Sequence, residues 1–404
     1  MTRARMTPFR GALGVGVMFA SNGAVFAALL PWYPILSERL NLGPVEFGFI
    51  VAAFAVGGIA SSAAPAPLIA RFGPVKVAFW GTILLAAAVA SAPWAGVGWV
   101  LAVSLFLIGL FDAIVDVAQN VAGIRVEDSS GRKILSSMHA LWSLGGVVSG
   151  IAATAAATSG IDVRIYLAGA AVAAVLLVGV GALLLRDLPA SSERAEKPGA
   201  TPAGAVHWKL VALAALPLVI LAISGSMVED VANNWSAMSG VQLGGMAPSM
   251  AGIAFTVMIG SQCIGRFAGD VLITRFGRSA IARIGGAAIT VGGVLVVSTN
   301  DSVWQLLIGL ALAGYGSATI SPSALAAASK LPGVSEGAGV TLVSWLMRLG
   351  FLFTSPLIGA LTAFTELRVG LAILIPVGLI IIVFAGALKP RTKDESVRSD
   401  HGGT

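Results

Sequence analysis

Apolar runs of about 20 residues recur twelve times along this chain. A helix needs about that many residues to cross the ~30 Å hydrocarbon core of a bilayer. The runs predict spans over 11–36, 47–70, 75–92, 99–124, 134–158, 163–185, 209–236, 248–273, 281–298, 303–328, 338–363 and 369–388, numbered 1 to 12. Spans 6 and 12 contain the uncharged stretches Ile165–Leu185 and Val369–Leu388. Only 11% of the 404 residues are charged, whereas a soluble domain carries about 25%. The reading is an all-α, multi-pass membrane protein whose surroundings are lipid.

Other classes fall to composition. Glycine and proline are scattered without period, which excludes collagen, and 57% hydrophobic residues exclude a disordered chain. A single cysteine, Cys263, leaves no disulfide framework and no Cys-based zinc site, so neither metal nor cofactor is expected. The net charge of +6 does not mark a nucleic-acid binder, because the basic residues form no patch interleaved with aromatics. His-Glu-x-x-His, a phosphate loop and Gly-x-Ser-x-Gly are all missing, so no enzyme is expected.

Orientation follows from where the 25 Lys and Arg residues lie. With the N-terminus inside, twenty fall in inner segments and three in outer loops (Arg39, Arg164 and Arg368), while Arg266 and Arg348 fall within spans. That bias places both termini in the cytoplasm. The opening MTRARMTPFR and its apolar sequel resemble a signal peptide, but the span is too long for an h-region and reads as a retained first helix. The polar stretch from Arg186 to His207 reads as a flexible linker. The expected organisation is therefore 1–185 as one six-helix bundle, 186–208 as a cytoplasmic linker, 209–388 as a second bundle and 389–404 as a cytoplasmic tail.

A repeat supports that division. Ile69-Ala70-Arg71-Phe72-Gly73 follows span 2, and Ile273-Thr274-Arg275-Phe276-Gly277 follows span 8, at an offset of 204. The same offset lays span 1 on span 7 and span 5 on span 11, with Trp142 and Trp345 one residue out of register. Parallel repeats of this kind characterise transporters built from two six-helix halves. The chain thus resembles the major facilitator superfamily (MFS). The superfamily's inner-loop signature is degenerate here: Ala66, Ala70 and Pro74 depart from it in one copy, and Thr274 in the other. Arg71 and Arg275 are kept, and with Arg266 and Asp270 they are the candidate gating residues.

Short motifs look closest to the bacterial YbjJ-type branch. They are Asp116-Val117-Ala118-x-Asn120-Val121, Met138-His139, Ser143-Leu144-Gly145, Ala232-Asn233-x-Trp235 and Gly265-Arg266-Phe267. The resemblance implies two pseudo-symmetric six-helix bundles in a bacterial inner membrane. It also implies spans 1, 4, 7 and 10 around a central cavity, with spans 3, 6, 9 and 12 against lipid. Those last four indeed hold no interior ionisable or amide side chain.

Ionisable residues inside a membrane are costly and mark functional candidates. Asp112, Asp116 and Asn120 on span 4 are spaced i, i+4, i+8 and share one face over about 12 Å. Counted from Ile124, Asp116 lies about 12 Å deep. Low dielectric penalises a charged carboxyl group, which makes Asp112 or Asp116 a candidate proton carrier. The alternative is a fixed ion pair with Arg348. The expected substrate-binding set is Asn22, Asn120, His139, Trp142, Glu229, Asn233, Trp345 and Arg348. His139 is either a ligand or relay, or a buried ring bonded to backbone or Asn120. Asp230 is expected to face solvent, and Arg266 to pair within its helix with Asp270, four residues on. Trp32 and Trp235 suit an interfacial aromatic belt, whereas Trp142 and Trp345 are the deeper stacking candidates. Gly146-x-x-x-Gly150 and Gly265-x-x-x-Gly269 read as a sliding contact between spans 5 and 8. The functional expectation is a monomeric secondary transporter that moves a small polar, sugar-like solute with protons by alternating access. The alternative is proton-driven efflux of cationic compounds.

Overall fold

The computed structural model describes residues 7–131, 134–188, 208–331, 334 and 336–389. Most of the expected linker and all but Lys389 of the expected tail lie outside the described residues. Within them the fold is helical. Eleven helices are long and apolar enough to cross a membrane, and a twelfth forms if Pro44–Ala60 and Pro65–Phe72, bent by 54°, count as one span. These elements fall on the expected spans in order. Ends differ by a few residues where helix continues past the apolar run: span 4 covers Gly98–Ser130 and span 7 runs on to Gln242.

Local chemistry sets the boundaries. Proline enters at the first turns of helices beginning at Pro8, Pro44, Pro65 and Pro74, where its missing N–H costs nothing. Thr7 caps span 1 by accepting from the Arg10 amide at 3.3 Å, and Asp162 caps span 6 by accepting from the Arg164 amide at 2.7 Å. Gly73 and Gly277, the last residues of the two repeat copies, adopt φ 81° with ψ 155° and 153°. Only glycine holds that conformation without strain, so the sequence repeat is matched by a repeat in backbone geometry.

The helix contacts repeat as well. Span 1 packs on spans 4, 5 and 6, span 2 on span 4, and span 3 on spans 4 and 6. Six spans later the same pairs recur: span 7 on 10, 11 and 12, span 8 on 10, and span 9 on 10 and 12. Spans 2 and 11, and spans 5 and 8, make the largest contacts that cross between these sets, and the end of span 1 adds to them against spans 7 and 8. In lipid such packing rests on close van der Waals approach rather than on expulsion of water. Accordingly, a Cβ on Gly57 would collide with the Phe106 carbonyl, and one on Gly109 with the Phe54 carbonyl. Large side chains left exposed include Trp80 on span 3, Leu176 and Leu183 on span 6, Ile284 on span 9 and Val383 on span 12. These are the four spans read above as facing lipid.

The crossing contacts are uneven along the helix axes. Arg10, Arg71, Lys76, Arg275 and Arg278 mark one end of the molecule, here the basic end. At the opposite end the two sets touch backbone to backbone: a Cβ on Gly48 would strike the Ser355 carbonyl, and one on Gly359 the Pro44 carbonyl. Tyr33, Phe47 and Trp235 are buried there in an edge-to-face chain with centroid separations of 5.5 and 5.2 Å. Toward the basic end, Asp116, His139 and Trp345 are exposed although they lie inside spans. A groove between the two sets therefore opens at the basic end and is shut at the other.

Candidate functional site

Three polar clusters line or flank this groove. The first is the stripe on span 4. Helical spacing stacks Asn120 one turn beyond Asp116, and its Nδ2 donates to the Asp116 carboxylate at 3.1 Å and to the Asp116 carbonyl at 2.9 Å. Asp112, a turn deeper, is the side-chain neighbour of Asn22 on span 1, and the buried Asp112 Oδ1 and Asn22 Nδ2 make no other hydrogen bond among the described residues. Asn22 Oδ1 is used, accepting from the Trp142 indole at 3.0 Å. Arg348 lies within electrostatic reach of both carboxyl groups, and His139 within reach of Asp116. Span 4 continues to Ser130, so Asp116 stands about 21 Å from the helix end rather than 12 Å. The additional turns carry Arg125, Glu127 and Asp128.

The expected fixed pair between Arg348 and this stripe is not made: no Asp oxygen of the described residues lies within 4.0 Å of its guanidinium. Arg348 instead reaches over span 2, where a Cβ on Gly58 would stand 3.2 Å from its Nη1. Nor is His139 tied to Asn120. Its ring is exposed, packs edge-on against Phe19 at 5.2 Å, and makes no hydrogen bond among the described residues.

The second cluster corrects the expectation for Arg266. It does not pair with Asp270, which is exposed on the outside of span 8. Arg266 Nη2 donates to Glu229 on span 7 at 3.0 Å, and Nη1 donates to Ser143 on span 5 at 2.6 Å. One arginine thus bridges the two contact sets. Its guanidinium also sits over the Trp142 ring, 6.0 Å from the centroid, while Phe26 stacks on Trp142 at 6.0 Å and 28°. Trp142 therefore carries a cation and an aromatic ring against it. Trp345, the other deep tryptophan of the sequence, is 51% exposed.

The third cluster was not foreseen. Asp230 is 3% exposed, not turned to solvent. Asn234 Nδ2 donates to its Oδ1 at 2.8 Å, and the Ser355 hydroxyl donates to its Oδ2. Ser355 in turn accepts from the Trp235 indole at 2.9 Å. Residues Val231–Trp235 form a π-helical turn, a feature frequent at functional sites. Beside it lies a small cavity lined by Tyr33, Phe54, Asp230, Asn233, Asn234 and Phe351, among others. The i, i+4 spacing of Asp230 and Asn234 was the available signal; Ser355, beside the mid-helix Pro356, gave none. Trp32 and Trp235 leave the interfacial belt as well, being 3% and 1% exposed.

The remaining candidates separate. Arg71 and Arg275 are exposed at the basic end, each over the phenylalanine that follows it, at 5.2 and 5.3 Å. Gly150 does meet span 8, at Thr256 and Phe255, but Gly265 and Gly269 face Tyr315, Ala318 and Thr319 of span 10. Gly265 and Gly269 therefore seat span 10, whereas Gly252 of the same helix meets Thr154 of span 5. No cluster of three or more potential metal-ligating side chains occurs among the described residues.

Apolar helices paired twice over around a one-sided polar groove define a multi-pass membrane transporter rather than an enzyme. The sequence model of the Major Facilitator Superfamily matches residues 15–244 and again 230–403, and the chain belongs to that superfamily. An uncharacterised MFS-type transporter of Yersinia pestis is 25% identical over 377 residues, covering 93% of this chain and 94% of its own length. The membrane protein MosC of Rhizobium meliloti is 24% identical over 378 residues, covering 91% and 87%. Among solved structures, a D-xylose–proton symporter superposes with a TM-score of 0.75 over 96% of this chain and 98% of that one, at 16% identity. The nucleoside transporter NupG does so with a TM-score of 0.68 over 96% and 100%, at 13% identity. At such identities these likenesses carry the fold.

Proposed function

We propose that the chain is a proton-coupled secondary transporter of a small, hydroxyl-rich solute, working by alternating access in a bacterial inner membrane. Asp112 and Asp116 carry the proton. The observation behind this is the mid-span acid stripe, reached from the open groove, facing Arg348 and His139 yet bound by no fixed ion pair among the described residues. An intramembrane carboxyl group that is not locked to a cation can exchange a proton as the groove changes sides. The solute contacts Asn120, His139, Trp345 and Arg348 at the groove wall, while Asn22 and Trp142 hold the wall in shape. Two six-helix bundles move against each other; both termini lie in the cytoplasm, as the positive-inside bias favours, so the groove as described opens inward. The YbjJ-type branch is the subgroup the motifs favour. Two proteins of similar structure, a D-xylose–proton symporter and a nucleoside transporter, support a hydroxylated solute.

Asp116, exposed and without an ion pair among the described residues, also favours a second reading, efflux of organic cations with the acids as counter-charges. Proteoliposomes separate the two. The proton-symport reading expects an inward proton gradient to drive accumulation of a labelled hydroxylated solute and Asp116→Asn to abolish it. Accumulation that survives in Asp116→Asn, or a response to cationic dyes alone, would overturn it.

A further inference from the structure

The protein treats the two arginines of the groove differently. Arg266 is committed, with Nη1 on Ser143 and Nη2 on Glu229. Arg348 is half-buried in span 11 and makes no hydrogen bond or ion pair among the described residues. An intramembrane arginine is costly unless its charge is met. Its planar fork of N–H donors matches a bidentate oxyanion. Asp112 and Asp116 act on it through space without touching it, which leaves a gap rather than a closed pair. Gly58 keeps the space beside Nη1 open. Trp345, three residues earlier and therefore on the same helical face, has its indole exposed.

We propose that Arg348 binds a carboxylate carried by the solute, so that the transported class is small hydroxylated monocarboxylates whose carbon skeleton lies on Trp345. A monocarboxylate brings one negative charge for the one uncommitted guanidinium to meet, whereas a phosphate brings about −1.5 to −2 at neutral pH into a site that already holds two aspartates. The inference deepens the transporter reading and rests on it only for direction and driving force.

The test is thermal unfolding of the purified full chain with matched probes: glucose against glucuronate, xylose against xylonate, glycerol against glycerate, and glucose 6-phosphate. The acid of at least one pair is expected to raise the melting temperature while its neutral partner does not. Arg348→Gln should weaken that acid about tenfold or more, the scale of a lost charged hydrogen bond, with the unliganded melting curve unchanged. Arg348→Lys, which keeps the charge and loses the fork, should fall between. Equal stabilisation by neutral and acid partners, stronger stabilisation by the phosphate, no stabilisation by any acid, or unchanged affinity in Arg348→Gln would each overturn the assignment. Gradient-driven glucose uptake intact in Arg348→Gln would sink the carboxylate site and leave the transporter reading standing. Acid binding lost in Arg348→Gln, without any gradient-driven uptake by the wild type, would do the reverse.

Discussion

At the residue scale, the buried or half-buried polar groups of spans 7, 8 and 11 are tied to partners whose loss can be measured. Ser355→Ala removes the hydroxyl that both donates to Asp230 and accepts from Trp235. Leaving those two groups unsatisfied should destabilise the purified protein by about 1–3 kcal/mol, read as a fall in melting temperature that Ser355→Thr partly restores. Glu229→Gln strips Arg266 of its charge partner and should cost a similar amount. The double variant Glu229→Gln/Arg266→Gln should cost less than the sum of its singles, because the two side chains form one interaction. Additive losses would show that the pair is not coupled. Sequence reasoning saw which residues were polar and deep, because an isolated Asp, Glu or Arg in an apolar run stands out. It mis-paired Arg266 because i, i+4 spacing names the nearest partner along one helix, while Glu229 and Ser143 arrive from two other helices. It placed Asp230 in solvent for the same reason: the groups that bury it, Ser355 and Tyr33, come from spans 11 and 1.

At the element scale, the spans were legible because bilayer thickness imposes a length that few alternatives satisfy. The bend in span 2, the π-helical turn in span 7 and the overrun of span 4 to Ser130 were not. Each depends on where neighbouring helices press, and hydropathy does not encode that. The repeat predicts matched behaviour in the two copies of the inner loop. Gly73→Ala and Gly277→Ala both force a side chain into φ 81° and should each destabilise by about 1 kcal/mol or more. Gly57→Val acts differently, by wedging span 2 from span 4 at the Phe106 carbonyl, and overpacking of that kind costs about 1–3 kcal/mol. A variant with unchanged melting temperature at either site would contradict the packing described.

At the scale of the whole molecule, the groove is open at the basic end and sealed at the other by Gly48, Gly359 and the Tyr33–Phe47–Trp235 chain. The one native cysteine, Cys263, is buried, so a Cys263→Ala background permits labelling. In that background His139→Cys should react with a membrane-impermeant maleimide added at the basic face, and Ser37→Cys, buried at the shut end, should stay protected from the other. Gly48→Val, which disturbs the seal, should raise labelling of Ser37→Cys and lower that of His139→Cys. Movement of both in the same direction would argue against alternating closure.

The most direct test of the central claim follows protons rather than solute. Proteoliposomes loaded with a pH-sensitive dye, given the solute that most stabilises the purified protein, should show proton entry with wild type and none with Asp116→Asn. Solute entry in wild-type vesicles without any accompanying pH change would contradict proton coupling through Asp112 and Asp116.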